Sequence, residues 1–235
     1  MDKIRINKYL SMSGICSRRE ADRLLERGKI IVNGRPAVMG EQVDDEDEIV
    51  VDGVLVQREE KEIILAYHKP AGIVCTTSKK DKDNIVDAIG YKERIYPVGR
   101  LDKDSTGLIL LTNNGELMDA ILRGRNHHEK EYVVTVDKRI KKEVLDAMEQ
   151  GVPILDTMTR PCVIRNRRDK EFHIILTQGL NRQIRRMCEY FGYRVRTLKR
   201  IRVMNITLDD LPEGNWRELT EAEVKELKRQ CNLAK

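Results

Sequence analysis

The chain is poor in large aromatic side chains. One Trp, two Phe and seven Tyr stand among 235 residues, so aliphatic side chains must fill its core. No apolar run has membrane-spanning length, and the opening "MDKIRINKYL" is too interrupted by charge for a secretory signal. A cytoplasmic protein without contact to a membrane is expected. Cysteine is sparse and scattered: Cys16, Cys75, Cys162, Cys188 and Cys231 are odd in number and contain no C-x-x-C spacing. Neither a disulfide framework nor a zinc site is indicated, and reduced thiols are expected. His127 and His128 have no metal-ligand spacing either and read as a solvated loop.

The net charge is only +5, but its distribution along the chain is uneven. Residues 1–35 hold nine Lys/Arg against four acids, residues 41–60 hold nine acids against Arg58 alone, and residues 182–202 hold eight cations against Glu189 alone. Two separated basic clusters suit a polyanion held at two places.

Pattern divides the chain at the charged run "QREEKE" (Gln57 to Glu62), read as a linker between domains 1–60 and 61–235. In the first part, "RINKYLSMSG" and "SRREADRLLERGK" read as short helices, the second opened by a Ser17/Glu20 capping box and each ended by glycine. Asn33-Gly34 and Asp52-Gly53 are hairpin turns. The helices leave Arg5, Lys8, Arg18, Arg19, Arg23 and Arg27 pointing away from a small core. In the second part "IILAYHK", "GIVCTT", "GLILLT", "KEYVVTV", "CVIRNR" and "EFHIILT" read as strands. Helices are expected at 116–122, 138–148 and 182–191, with a last one opened by a Thr220/Glu223 capping box and running to about Cys231. Without regular strand–helix alternation this is an α+β fold, with helices on a mainly antiparallel sheet.

Three constellations could carry chemistry. In "YPVGRLDKDSTGLILLT", Arg100, Asp102, Lys103 and Asp104 stand at the mouth of an apolar strand. A carboxylate kept ionised there by neighbouring cations can act as nucleophile or base, though an Asp in such a position is more often a turn residue. In "GLNRQIRRMCEYFGY", Arg182, Arg185 and Arg186 fall at a helix start, where the dipole disfavours cations. They need an anionic partner, either phosphate or a carboxylate from elsewhere in the fold. In "EKEYVVTV", Tyr132 opens a strand, as an ordinary packed tyrosine or as a ring for a nucleobase. Lys69 and Pro70 read as structural, shaping a strand exit.

The segment "RINKYLSMSGICSRREADRLLERGKIIVNGR" resembles an S4 domain, a small RNA-binding module with a basic helix pair. Together with "HKPAGIVCTT", "YPVGRLDKDSTGLILLTNNGEL", "EKEYVVTV" and "GLNRQIRRMCEYFGY", nearly the whole chain resembles the RsuA-type family of RNA pseudouridine synthases. That resemblance implies an S4-like domain followed by a mainly antiparallel-sheet catalytic domain. It implies isomerisation of uridine to pseudouridine, with no cofactor and no metal, by base flipping, glycosidic cleavage and C5–C1′ re-attachment. The branch it is most similar to acts on large-subunit (23S) ribosomal RNA and also on a tyrosine tRNA. Carried over by motif, Asp102 is the essential catalyst, Tyr132 packs on the target base, and Arg185 pairs with Asp102. Arg100 lies near the RNA, and Val195 or Leu198 forms an apolar floor. Asp104 has no counterpart role and is read as loop-shaping. Arg5, Lys8, Arg18, Arg19, Arg23, Lys103, Arg182 and Arg186 are the expected RNA contacts, and a monomer is the expected state. Two rivals stand beside this reading: a non-catalytic S4-type RNA-binding protein associated with the ribosome, and a hydrolase pairing Asp102 with Asp104.

Overall fold

The structure, a computed structural model, describes residues 3–57, 61–78, 80–123 and 126–233. The chain forms two compact units, Met1–Glu62 and Ile63–Lys235. The expected linker core, residues 58–60, lies outside the described residues.

The first unit runs β1 (Ile4–Arg5), α1 (Ile6–Met12), α2 (Arg18–Glu26), β2 (Ile30–Val32), β3 (Arg35–Pro36), β4 (Gln42–Val43), β5 (Ile49–Val51) and β6 (Val54–Leu55). Its turns follow local chemistry. Asn33 (φ 49°) with Gly34 (φ 78°) joins β2 to β3, and Asp52 (φ 50°) with Gly53 (φ 82°) joins β5 to β6. Both pairs are left-handed at two successive residues, as a tight hairpin requires. Ser17 Oγ accepts the Glu20 N–H at 3.2 Å, but the Glu20 carboxylate pairs with Arg23 at 3.0 Å rather than completing the box. Ile6, Leu10, Ala21, Leu25, Ile30 and Val43 pack into one small core. Arg5, Arg18, Arg19 and Arg23 remain exposed around it, with Lys8 half-buried.

The second unit begins with β7 (Ile64–Lys69), α3 (Ile85–Ile89), β8 (Tyr96–Pro97), β9 (Thr106–Thr112), α4 (Gly115–Leu122), β10 (Lys130–Val136) and α5 (Lys142–Gln150). It continues through β11 (Pro153–Ile154), β12 (Thr157–Met158), β13 (Val163–Arg165), β14 (Glu171–Leu176), α6 (Gln183–Tyr190), β15 (Val195–Val203), β16 (Ile206–Thr207), β17 (Trp216–Glu218) and α7 (Glu221–Gln230). Its main sheet has the order β13-β14-β10-β15-β9-β7-β17, with β16 on β15 and β8 on β9. Every pairing is antiparallel except β15 with β9, which run parallel at Lys199↔Thr106 and Arg200↔Gly107. That join brings residues more than ninety positions apart in sequence to the middle of the sheet. Ile64, Ala66, Leu108 and Leu110 pack on one face with α4 and α7, while Leu65, Tyr67, Ile109 and Leu111 pack on the other with α3. Strands buried on both faces read as unbroken aliphatic runs, which is why "IILAYHK" and "GLILLT" are legible as strands.

Several expectations change. "GIVCTT" is not a strand: Val74 forms one bridge to Asn84 and the rest is loop. The helix expected from 138 starts at Lys142, after a segment tied by Asp137 N–H to Arg194 O and Ile140 N–H to Asp169 O. Five-residue α3, capped by Asn84 and closed by Gly90, is too short to show a period. "VRTLKRIRV", read as a basic cluster, is the nine-residue strand β15. All five cysteines are free and buried.

The α7 capping box is complete, and Glu223 does double duty in it. Its carboxylate accepts the Thr220 N–H at 2.8 Å and takes both Arg217 guanidinium nitrogens at 2.7 and 2.8 Å, tying α7 to β17. The Arg217 hydrogen bonds, ahead of the other contributions, hold Glu223 down at about 2. A depressed carboxylate stabilises fully above its ordinary pKa and loses that contribution as pH falls through the folded value. Thermal melts from pH 6 to pH 2.5 are therefore expected to show a loss of roughly 1–2 kcal/mol from this pair below about pH 4.5. Arg217→Met should flatten that limb, and an unchanged acid limb in the variant would refute it.

Candidate active site

The loop between β8 and β9 carries Arg100, Asp102 and Asp104, and it is held from below by Lys69. This lysine ends β7, is fully buried, and donates to the carbonyls of Pro70 (2.7 Å), Ile73 (3.0 Å) and Lys103 (3.4 Å). Burial lowers its pKa, against the opposing pull of Cys75, Asp104 and Asp102. The Gly72 N–H also donates to Lys103 O at 2.7 Å, and the Leu101 N–H to Cys75 Sγ at 3.3 Å. Three backbone carbonyls around one ammonium give a loop with little freedom, so the reading of Lys69 and Pro70 as loop-shaping fits the geometry.

Facing this loop is the start of α6. Arg182 is its N-cap, in the left-handed region at φ 50°, ψ 34°, so the helix begins at Gln183, one residue later than expected. Such a backbone costs on the order of 1 kcal/mol for a non-glycine residue and is kept only where the surroundings hold it. Arg182 Nη1 stands 3.6 Å from Asp102 Oδ2 and 3.7 Å from Asp104 Oδ1. Arg185, 6 % exposed, sets its Nε 3.7 Å from Asp102 Oδ2 and its Nη2 3.1 Å from both Asp104 Oδ2 and Ser105 Oγ. The anionic partners that these arginines need are thus two carboxylates of one loop. Arg186 turns away to the Asn181 carbonyl and side-chain oxygens at 3.1 and 3.2 Å.

Asp104 accordingly does more than shape the loop: with Ser105 it takes the shortest contacts of Arg185. Asp102 lies at ion-pair distance from two guanidiniums, beyond hydrogen-bond length from either, with its side chain 31 % exposed. A carboxylate placed between two guanidiniums but still open at the rim of a cleft can attack or remove a proton.

That cleft has a volume of about 500 Å³. Asp102, Arg100, Tyr132, Leu198, Lys130 and Arg200 all face it. A second hollow of about 630 Å³ lies across the same loop, against Gly72, Val74 and Lys103. Tyr132 and Leu198 are set two strand neighbours apart, Tyr132 opposite Arg200 and Leu198 opposite Val134. Val195 is placed otherwise: it pairs with Val136 at the far end of β15 and packs on the core, so Leu198 and not Val195 offers the apolar wall. Lys103 is exposed and pairs with Asp83 at 3.4 Å. His128 also departs from expectation. It lines the cleft, burial lowers its pKa, and its Nε2 is enclosed.

Sequence reasoning missed Lys130, Arg200 and Ser105 as site residues. Arg200 is 2 % exposed and donates to Leu108 O at 2.6 Å, with its guanidinium 6.0 Å from the Tyr132 ring centre. The available signal was alternation: in "KEY" and "LKR" the residues facing the cleft, Lys130 and Tyr132 and then Leu198 and Arg200, recur every second position, once both segments are known to be strands. Among the described residues no group of three His, Cys, Asp or Glu is placed to hold a metal ion.

Comparison with known proteins agrees with this architecture. The RNA pseudouridylate synthase family profile matches residues 63–190, and the S4 domain profile residues 4–49. The dual-specificity RNA pseudouridine synthase RluF of Escherichia coli (strain K12) is 52 % identical over 95 % of this chain and 78 % of its own length. Ribosomal large subunit pseudouridine synthase B of Bacillus subtilis (strain 168) is 36 % identical over 95 % of each chain. A crystal structure of a pseudouridylate synthase superposes with a TM-score of 0.70 at 28 % identity, covering 95 % of this chain and 99 % of that one. The chain is an S4-containing member of the RNA pseudouridine synthase family, an enzyme that isomerises uridine in RNA.

Proposed function

We propose that the RNA is large-subunit (23S) ribosomal RNA, that a tyrosine tRNA is a second substrate, and that Asp102 is the catalyst. The relatives named above are, as their names say, a dual-specificity enzyme and one of the large ribosomal subunit, and this reading brings both to the present chain. The observation that carries the catalytic assignment is Asp102 itself. It is a half-exposed carboxylate within 3.7 Å of Arg182 and Arg185, at the rim of the cleft that Tyr132 lines. A volume of about 500 Å³ lies in the range of small-molecule sites and suits one flipped nucleotide.

In this reading the uridine leaves its stack and its base packs on Tyr132, with Leu198 as apolar wall. Asp102 acts at the ribose, by attack on C1′ or by removal of the 2′ proton, and the N1–C1′ bond breaks with its electron pair going to the uracil. The base turns within the cleft and C5 bonds to C1′, while the C5 proton is lost and N1 regains one. In the first route this bond releases the Asp102 carboxylate from C1′, and in the second it is accompanied by return of the proton to C2′. Atoms and charge balance without redox change or a group donor. Arg185, fixed by Asp104 and Ser105, holds Asp102 in orientation. The exposed arginines of the first unit and Arg100, Lys103, Arg182 and Arg186 of the second supply phosphate contacts. The non-catalytic reading leaves this assembly without a purpose.

The test is pseudouridine mapping of 23S ribosomal RNA and transfer RNA from cells with and without the protein, followed by reaction of purified protein with the transcript. One position in 23S RNA and one in tyrosine tRNA are expected to lose the modification. Unchanged ribosomal RNA would overturn the substrate assignment.

A further inference from the structure

Lys130 and Arg200 are two cations placed side by side inside the cleft without an acid between them. Lys130 is half-buried on β10 and, among the described residues, no hydrogen bond or ion pair engages its ammonium. Its flanking acids face the other way: Glu129 and Glu131 each pair with Arg202 at 3.0 Å, and Glu131 also meets His173 at 3.2 Å. The strand period explains this, since residues 129 and 131 share one face while 130 and 132 share the other. Arg200 anchors its Nε on Leu108 O and leaves Nη2 enclosed without a partner among the described residues. Burial and then Arg200 pull the Lys130 ammonium down to about 8, the signature of a cation confined near another with nothing to offset it.

Buried donors left unpaired are costly, and a folded chain keeps such an arrangement where a ligand completes it. The geometry points to an anion subsite formed by Lys130 and Arg200, which takes a phosphodiester of the RNA strand next to the flipped uridine. It rests on the reading of this cleft as the uridine site and adds to it a fixed hold on the backbone. On β10, Lys130 stands two residues from Tyr132, about 7 Å along a strand, which is close to the spacing of neighbouring groups in a nucleotide chain. One buried point charge there would set which part of the strand enters the cleft.

The test is Lys130→Met, which keeps the length of the side chain and removes the charge, in the full chain beside the wild type. Three quantities are measured: melting temperature without RNA, Kd for a 23S RNA transcript across a KCl series, and single-turnover rate at saturating RNA. Removing an unpaired buried cation is expected to leave the free protein as stable or more so. Affinity should fall roughly tenfold and the salt slope by about one, with the saturating rate kept within about twofold. An unchanged Kd and salt slope would overturn the subsite. So would a lost saturating rate at unchanged Kd, since the charge would then serve the reacting base. If the wild type binds the transcript without converting it, the ribosomal assignment fails, while the difference in Kd and salt slope still decides the subsite.

Discussion

Asp102→Asn is expected to abolish pseudouridine formation while leaving RNA binding within about threefold of wild type. The substitution keeps shape and size, and the loop around it is fixed by Lys69, Gly72 and Cys75 rather than by the carboxylate. Arg185 keeps Asp104 at 3.1 Å and Ser105 at 3.1 Å, so the removed charge does not leave a buried guanidinium alone. What disappears is, among the described residues, the one carboxylate that lines the cleft. An amide is neither a useful nucleophile nor a base, so a rate loss of at least about 10³-fold is expected, confined to the saturating rate. Single-turnover assays with filter binding on the same transcript separate the two effects. Turnover within tenfold of wild type would sink the assignment of Asp102.

Gly107→Ala should have the largest effect on folding. Gly107 sits at φ 108°, where L side chains are strained, and pairs with Arg200 at the single parallel join of the sheet among the described residues. A Cβ there would stand 2.2 Å from Arg200 O and 2.5 Å from Arg200 N, against backbone that cannot rotate aside. Relief requires β9 and β15 to separate, which would uncouple the loop of Asp102 from Arg200 and the cleft. A loss of more than about 3 kcal/mol is expected. Urea unfolding reads it, and a change below about 1 kcal/mol would show that the strands tolerate the separation. The same contact explains why a glycine opens the aliphatic run "GLILLT": the join needs the absence of a side chain more than any flexibility.

Much of the local structure is determined by the sequence alone. Asn33-Gly34 and Asp52-Gly53 dictate hairpins because few other residue pairs accept two left-handed residues in succession. Thr220 with Glu223 starts α7 because the two side chains satisfy backbone groups three residues away. The aliphatic runs of β7 and β9 announce buried strands, and the motifs around Asp102, Tyr132 and Arg185 place the chain in its family. These signals act over a few residues or are carried by residue identity at fixed positions. The tertiary structure decides what meets what. Asp104 joins Asp102 on the same two arginines, although their spacing in a loop leaves direction free. Val195 and Leu198 pack on the same core but differ in role because the strand register, with an irregularity between Thr135 and Val136, sets Leu198 against the cleft and Val195 away from it. Lys130 and Arg200 are seventy positions apart and look like ordinary surface charges until β10 and β15 pair and fold their flanking acids to the opposite face. Register and strand order arise from the packing of the whole sheet, and no window of neighbouring residues contains that information.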